Sequence, residues 1–351
     1  VKAIENNTLS SLNEILGIGF KENGAPKITE RYPPIRDLDF LPFPARHLLP
    51  MEEYFKAQKA MRTGRRSFFG RRAAVLISSR GCPYSCTFCI SNHLWGRLWR
   101  WRSPENVVDE IQELVEKYGV NHIHFEDDNM TMNKERLMKI CDLIVERRLK
   151  FSWDTPNGIR ADTVDEAILN KMKASGCIEL YVAPESGNQK VVNTIIKKMV
   201  DLEKIAEVVG LCKKIGITVD AFFVVGTVGE TKSDMQDTVN YAKRLRKLGL
   251  RRCHFHIATP FEGTELYEKA KASGYLTEGS PDCVKLEAPR VETPEFTCRE
   301  VDYFFNEGMK ANALFPTDKI LLALRMLIAD PVKLAKVSCR YLIKRQGGLS
   351  S

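Results

Sequence analysis

No stretch of this 351-residue chain approaches the roughly 18 consecutive apolar residues that a membrane-spanning helix needs. The opening Val1-Lys-Ala-Ile-Glu-Asn-Asn-Thr-Leu-Ser10 has no charged region followed by an apolar one, so neither an integral membrane helix nor a secretory signal is expected. No cysteine precedes Cys82, and seven of the ten cysteines stand singly, at 141, 177, 212, 253, 283, 298 and 339. That scatter excludes an extracellular disulfide framework and fits a reducing cytosol, hence a cytoplasmic protein. The first residue is Val rather than Met, which leads us to expect a fragment or a processed form. At 44% apolar and 28% charged the composition is that of an ordinary soluble globular chain. Of the net charge of +8, much is local, with Arg62, Arg65, Arg66, Arg71 and Arg72 crowded together. Such a run reads first as a solvated linker and second as a surface for an anionic substrate or partner.

What is present is more informative. Gly81-Cys-Pro-Tyr-Ser-Cys-Thr-Phe-Cys-Ile90 places Cys82, Cys86 and Cys89 on one short loop. Three thiolates can hold three irons of a 4Fe-4S cube and leave the fourth iron without a protein ligand, open for chemistry. Structural zinc asks for a fourth protein ligand, and the nearest candidates, His93 and Cys141, stand at no usual finger or ribbon spacing. A disulfide would leave one cysteine of the three unpaired.

From residue 73 onward short β-prone runs alternate with amphipathic stretches, the pattern of repeated βα units around a parallel sheet. Strands are expected at Ala73-Ser79, Asn121-Phe125, Phe151-Asp154, Cys177-Val182, Thr218-Val225 and Cys253-Ala258. Helices are expected from Ser103-Pro104, where a capping Ser precedes a Pro at the first helical position, and near 133–148, 163–174, 201–214, 231–248 and 264–273. Gly119, Gly176, Gly216, Gly249 and Gly274 follow the helix ends, where a left-handed residue closes the last turn. The fold class is α/β, a partial (β/α)6 TIM-like barrel with its chemistry at the carboxyl ends of the strands. Residues 1–72 read as a Pro- and Arg-rich connector, 73–275 as the core, and 276–351 as a mostly helical extension. His254 and His256 are expected on the sixth strand with one facing the barrel and one away, and neither is assigned a role.

The cysteine loop resembles the signature of the radical S-adenosylmethionine (SAM) superfamily, C-x3-C-x-aromatic-C, with Phe88 in the aromatic place. The resemblance implies that the open iron binds SAM and that an electron from the cluster splits it to a 5′-deoxyadenosyl radical, the protein supplying binding, orientation and exclusion of water. Further motifs extend it over about residues 15–275. Ile123-His-Phe-Glu-Asp-Asp-Asn-Met130 resembles I-x-F-x-D-D-x-F, and there Asp127 or Asp128 would accept from the SAM ammonium while the other is structural. Asn157-Gly-Ile-Arg-Ala-Asp162 matches N-G-I-R, with Arg160 open to the SAM carboxylate, to Asp128 or to a structural salt bridge. Glu185 and Ser186 of Ala183-Pro-Glu-Ser-Gly-Asn-Gln189 would meet the methionyl and ribose groups, with Gly187 giving the ligand close access. Gly226-Thr-Val-Gly-Glu-Thr231 would line the adenine pocket with Val228 replacing Pro, and Thr259-Pro-Phe-Glu-Gly-Thr-Glu-Leu-Tyr267 the substrate side with Glu262 replacing Pro.

Arg31-Tyr-Pro-Pro-Ile-Arg-Asp-Leu-Asp-Phe-Leu-Pro-Phe-Pro-Ala-Arg46 resembles the connector that follows the cobalamin domain in the B12-binding branch, and Gly17-Ile-Gly-Phe20 the last strand of that domain. The Asp-x-His-x-x-Gly ligand motif is absent, since the only histidine before the cysteines is His47. Cobalamin is therefore expected through an N-terminal domain missing from this chain. The implied activity is cobalamin-dependent methyl transfer to an unactivated carbon of a small-molecule substrate, with a B12-dependent oxidative cyclase as the alternative. A flavodoxin or ferredoxin would supply the electron. From a different class, a zinc- or cluster-stabilised nucleic-acid module is suggested by the arginines and by Trp95, Trp99 and Trp101, although a lid over SAM is the simpler role for those tryptophans. The apolar and basic stretch from Lys319 through Arg345 would pack on the barrel end or lie on an anionic membrane surface.

Overall fold

The computed structural model describes residues 9–60, 72–277 and 291–312. Cys283, Cys339, the stretch from Lys319 through Arg345, and Arg62, Arg65, Arg66 and Arg71 lie outside the described residues. The chain opens with a hairpin, β1 (Gly19–Glu22) against β2 (Ala25–Ile28), so the segment at Gly17–Phe20 pairs locally rather than with a larger sheet. Helix α1 (Met51–Ala60) leads to β3 (Ala73–Leu76), after which β4 (Ser79–Arg80), helix α2 (Ser91–Trp95), β5 (Arg100–Trp101) and α3 (Pro104–Tyr118) follow. Then strands and helices alternate: β6 (His122–Phe125), α4 (Lys134–Glu146), β7 (Ser152–Ile159), α5 (Glu166–Ala174), β8 (Cys177–Glu185), α6 (Leu202–Ile215), β9 (Thr218–Val225), α7 (Lys232–Leu248), β10 (Arg252–Ile257) and α8 (Glu265–Ala272). Helix α9 (Cys298–Lys310) completes the described chain.

Six strands form one parallel sheet in the order β10-β9-β8-β7-β6-β3, each beside its neighbour in the alternating series. This is the succession a βα barrel uses, and among the described residues its end strands β3 and β10 do not pair with each other. The first expected strand is shorter than the sequence suggests. Its last part, Ser79–Arg80, leaves the sheet to pair antiparallel with Arg100–Trp101. β7 and β8 run further than expected, through register shifts between Thr155 and Ile159 and between Val182 and Glu185. Irregularities of this kind re-aim side chains beside functional sites.

Local signals explain the helices. The Ser103 side chain accepts from the Asn106 amide at 3.1 Å, Pro104 opens α3, and Gly119 ends it in the left-handed region at φ 61°. The outer face of the sheet carries Ile123, Phe125 and Trp153, fully buried with Val107, Ile111 and Leu114 of α3 and Leu137 and Ile140 of α4. Burying each such aliphatic side chain stabilises the fold by about 1.5–3 kcal/mol. Gly187 has a packing role here: a Cβ on it would lie 2.4 Å from the Asp237 carbonyl and 2.6 Å from the Tyr241 Cβ. The close approach that this glycine permits is therefore to α7, where the sequence reading expected a ligand.

A side-chain amide meets one residue on each open edge of the sheet. At β3, Gln58 of α1 donates to the Ala73 carbonyl at 2.8 Å and accepts from its amide at 3.1 Å. At β10, Asn312 donates to the Cys253 carbonyl at 2.6 Å and accepts from its amide at 2.7 Å. Each amide replaces the backbone partner that an edge strand lacks. Replacing Asn312 with Ala removes both bonds and is expected to cost about 1–3 kcal/mol in urea unfolding and to speed hydrogen exchange at the Cys253 amide.

Candidate functional site: the cysteine loop and its cavity

Cys82, Cys86 and Cys89 line one face of a 370 Å³ cavity at the carboxyl ends of the strands. The loop that carries them is held from several sides. Its entry is Gly81, at φ +83°, where a Cβ would lie 2.5 Å from the Leu98 carbonyl oxygen. The Gly81 amide donates to Asp128 Oδ2 at 2.9 Å, and Ser91 Oγ beyond the loop donates to Oδ1 at 2.9 Å. Between the second and third cysteines, Thr87 donates from its amide to the Ile196 carbonyl and from Oγ1 to the Ile195 carbonyl, both at 3.0 Å. The Thr87 carbonyl accepts from the Leu266 amide at 2.9 Å. Phe88 packs beside Val224, Ala258 and Leu266 and also lines the cavity. Burial pushes all three thiols up, with Lys198 drawing Cys86 part of the way back. A metal centre here must displace protons as it binds.

The cavity lining also carries charge. Glu185 sits at a left-handed φ of 65°, a conformation that costs free energy and that accumulates at functional sites. Its Oε1 accepts from Lys198 Nζ at 2.7 Å, with both side chains almost wholly buried. Burial alone lowers the pKa of Lys198, but Glu185 and Cys86 outweigh it and raise the pKa above the usual lysine value. Arg160 pairs with Asp162 at 2.6 Å, donates to the carbonyls of Lys198 and Met199, and lies 3.7 Å from the centre of the Tyr84 ring. Of the three partners the sequence left open for Arg160, the structure therefore contains the salt bridge, made to Asp162.

The structure brings together Cys82, Cys86, Cys89, Phe88, Asp128, Arg160 and Glu185 around the cavity. Three of the residues expected at the cofactor do not line this cavity, Asp127 being the structural member of the acid pair. Asp127 is fully buried and turned away, accepting from the Ser78 amide at 2.7 Å and from the hydroxyls of Ser78 and Ser79 at 2.6 and 2.5 Å. Ser186 is fully buried against Thr238 Oγ1 at 3.0 Å and accepts from the Asn188 amide. Gly226 backs onto α9, where a Cβ would lie 2.9 Å from Val301. In the same loop Glu230 accepts from the Thr227 amide at 2.6 Å, and burial pushes its carboxyl up to about 8.

The tryptophans do not cover the cavity either. Trp99 and Trp101 stack at 4.6 Å, and Trp99 donates to the Asn129 carbonyl on the loop's outer side. His254 and His256 share one face of β10, because strand residues two apart do. Both rings lie within 6 Å of Phe222, His254 is 2.9 Å from Asp220, and His256 lines the cavity. Sequence reasoning missed Lys198 and Thr87. Lys198 is one of three lysines in residues 187–200, with Lys190 and Lys197, and nothing local singles it out.

A family profile described as the Radical SAM superfamily matches residues 76–242, spanning the cysteine loop, both acid loops and the Glu185 turn. The chain belongs to the radical SAM superfamily. It is 35% identical over 265 residues to an uncharacterized methyltransferase of Pyrococcus horikoshii, covering 76% of this chain and 54% of that protein. It is 34% identical over 248 residues to the cytidylyl-2-hydroxyethylphosphonate methyltransferase of Streptomyces wedmorensis, covering 68% and 45%. Among solved structures, the cobalamin-dependent radical SAM enzyme OxsB with aqua-cobalamin and SAM bound aligns at TM-score 0.56 and 21% identity, covering 77% of this chain and 37% of that one. At that identity the likeness carries the fold. The chain spans about half the length of the two methyltransferases. The residues present fit the superfamily's two cofactors. Three thiols on one pinned loop suit a 4Fe-4S cluster, and the paired acid and base beside them suit the amino-acid end of SAM.

Two outcomes follow from this geometry. Breaking the buried pair by Glu185→Gln or by Lys198→Met is expected to cost about 3–5 kcal/mol in urea unfolding. The double change to Met at both positions should be more stable than either single variant, because no unpaired charge is left inside. Asp128→Asn, by contrast, weakens the hold on Gly81 and Ser91, so it should lower iron and sulfide retained after anaerobic reconstitution while leaving the melting temperature nearly unchanged.

Proposed function

We propose that this protein is a radical SAM enzyme that, in its whole form and with cobalamin, transfers a methyl group to an unactivated carbon of a small-molecule substrate. The observation that carries the reading is the placement of three cysteines and a buried carboxylate–ammonium pair in the lining of one cavity at the strand ends. When bound, the cluster supplies the electron that cleaves SAM, and cobalamin the methyl group.

The chain's own residues orient and enclose. Cys82, Cys86 and Cys89 would hold the irons, and the bonds that pin Thr87 keep their spacing rigid. Glu185 and Asp128 would accept from the SAM ammonium, while Lys198 and Arg160 present positive charge to its carboxylate, each charge-assisted bond being stronger than a neutral one. Phe88 gives the loop a dry inner side. Phe222, Val224 and Phe261 supply an apolar wall on the side away from the charges, which excludes water from a reactive centre. The cobalamin part rests on the connector at residues 31–46 and is supported by the fold shared with the cobalamin-dependent enzyme OxsB, and methyl transfer is supported by the two methyltransferase relatives. A flavodoxin or ferredoxin would deliver the electron, in the cytoplasm. No helix among the described residues is long and apolar enough to cross a membrane.

The anaerobically reconstituted chain should hold about four irons and four sulfides, lose both in Cys86→Ala, and release 5′-deoxyadenosine from SAM slowly without a methylated product. A chain that takes up zinc and no iron would remove the radical reading. The cobalamin reading is tested on the longer gene product, where the upstream sequence should contain Asp-x-His-x-x-Gly and the purified protein should carry bound corrinoid. A longer protein that binds no corrinoid points to a cobalamin-independent radical SAM enzyme.

A further inference from the structure

Below the cavity, the inward face of the sheet carries a second set of ligating side chains. On β6 the side chains alternate, so that Ile123 and Phe125 enter the apolar layer under the helices while His122 and His124 point inward. Asp154 of β7 stands beside them, in register with His124. All three side chains are fully buried. His124 Nδ1 lies 2.6 Å from Asp154 Oδ1, and His122 Nε2 lies 3.4 Å from Asp154 Oδ2. One ligand atom from each residue can be chosen so that all three lie within 4.8 Å of one another.

The chemistry of this set is specific. The Asp154 carboxylate is fully buried, and each of its oxygens faces a histidine nitrogen. Neutral imidazole is the commonest side-chain metal ligand, and two imidazoles with one carboxylate are the donor set that takes first-row divalent ions with positions left open. His122 has an outer partner of the kind that metal-bound histidines have: its Nδ1 lies 2.8 Å from Ser152 Oγ, which turns Nε2 toward Asp154. The His122 and His124 rings meet edge to face at 4.6 Å, which keeps their nitrogens converging rather than stacking.

We propose that His122, His124 and Asp154 bind one first-row divalent cation, zinc or ferrous iron, that ties β6 to β7 inside the barrel. This site shares no ligand with the cysteine loop. β6 leads directly into the loop that carries Asp128, so the ion would brace the strand pair from which that loop departs.

The test uses the anaerobically reconstituted chain, its cysteines already filled, exposed to zinc or to cobalt(II) and freed of loose metal by gel filtration. We expect about one zinc per chain in addition to the cluster iron, a visible cobalt(II) absorption band, and a higher melting temperature with zinc than without. Asp154→Asn and His124→Gln should lose the bound ion. Ser152→Ala, a milder change that leaves all three ligands in place, should weaken zinc affinity about 10–100-fold while the circular dichroism stays that of the parent. Should the two ligand variants fail to fold, Ser152→Ala and the zinc-dependent melting shift decide. The proposal is overturned if the cluster-loaded parent retains no zinc or cobalt, in which case the three residues form a hydrogen-bonded group around a proton. It is equally overturned if folded Asp154→Asn or Ser152→Ala binds zinc as tightly as the parent.

Discussion

The site depends on the buried pair between Glu185 and Lys198. Lys198 belongs to the short segment 195–199, whose backbone carbonyls take the amide and hydroxyl of Thr87 and the guanidinium of Arg160. Its ammonium meets Glu185 at the end of β8. One five-residue stretch thus ties the cysteine loop, the third strand's arginine and the fourth strand's acid into a single body. Two of its residues, Lys197 and Met199, sit at left-handed φ values of 59° and 55°, an arrangement that persists only where the surroundings over-determine it. The pair supplies that determination, because separating a buried ammonium from its carboxylate leaves an uncompensated charge inside the protein.

A second constraint comes from the incomplete barrel. Six strands leave two edges with unpaired backbone groups, and each is met by a primary amide, Gln58 on β3 and Asn312 on β10. The segments that bring those amides also do other work. The connector that contains Gln58 docks on α3 through Arg46 and Glu110 at 2.6 Å, and Asp39 accepts from the Ser103 amide at 2.9 Å. Helix α9 packs Val301 against Gly226 and brings Gly308 onto the Phe255 ring. The flanking segments are therefore part of the same folded unit, and the loops at the strand ends are shaped partly by them.

Much of this was legible before any coordinates. All six strands of the parallel sheet begin within one residue of where their apolar runs suggest, because alternation of β-prone and amphipathic stretches leaves little freedom once caps such as Ser103 and Gly119 are read. The cysteine loop, Asp128, Arg160 and Glu185 were legible for the same reason: each follows a strand at its carboxyl end, and a parallel sheet gathers those ends. The placement of Ser186, Gly187 and Gly226 away from the cavity, and which of Asp127 and Asp128 is structural, was not legible, because neighbours in sequence on an irregular turn point in different directions. Which of two adjacent acids faces the cavity is decided by Ser78 and Ser79, nearly fifty residues earlier. The partner of Glu185 was not legible, since nothing local says that Lys198 rather than Lys197 turns inward.

By itself the sequence determined the architecture, the cysteine loop and the family, because these rest on periodicity and on short-range spacing along one strand-loop unit. The tertiary structure decided which charges meet. The pairing of Glu185 with Lys198, the turning of Asp127 toward Ser78 and Ser79, the convergence of His122 and His124 on Asp154, and the meeting of a side-chain amide with one residue on each sheet edge all join residues from separate elements. Buried polar groups must find partners wherever the packed backbone happens to bring them, and that placement depends on the register and twist of the whole sheet rather than on any one segment of the chain.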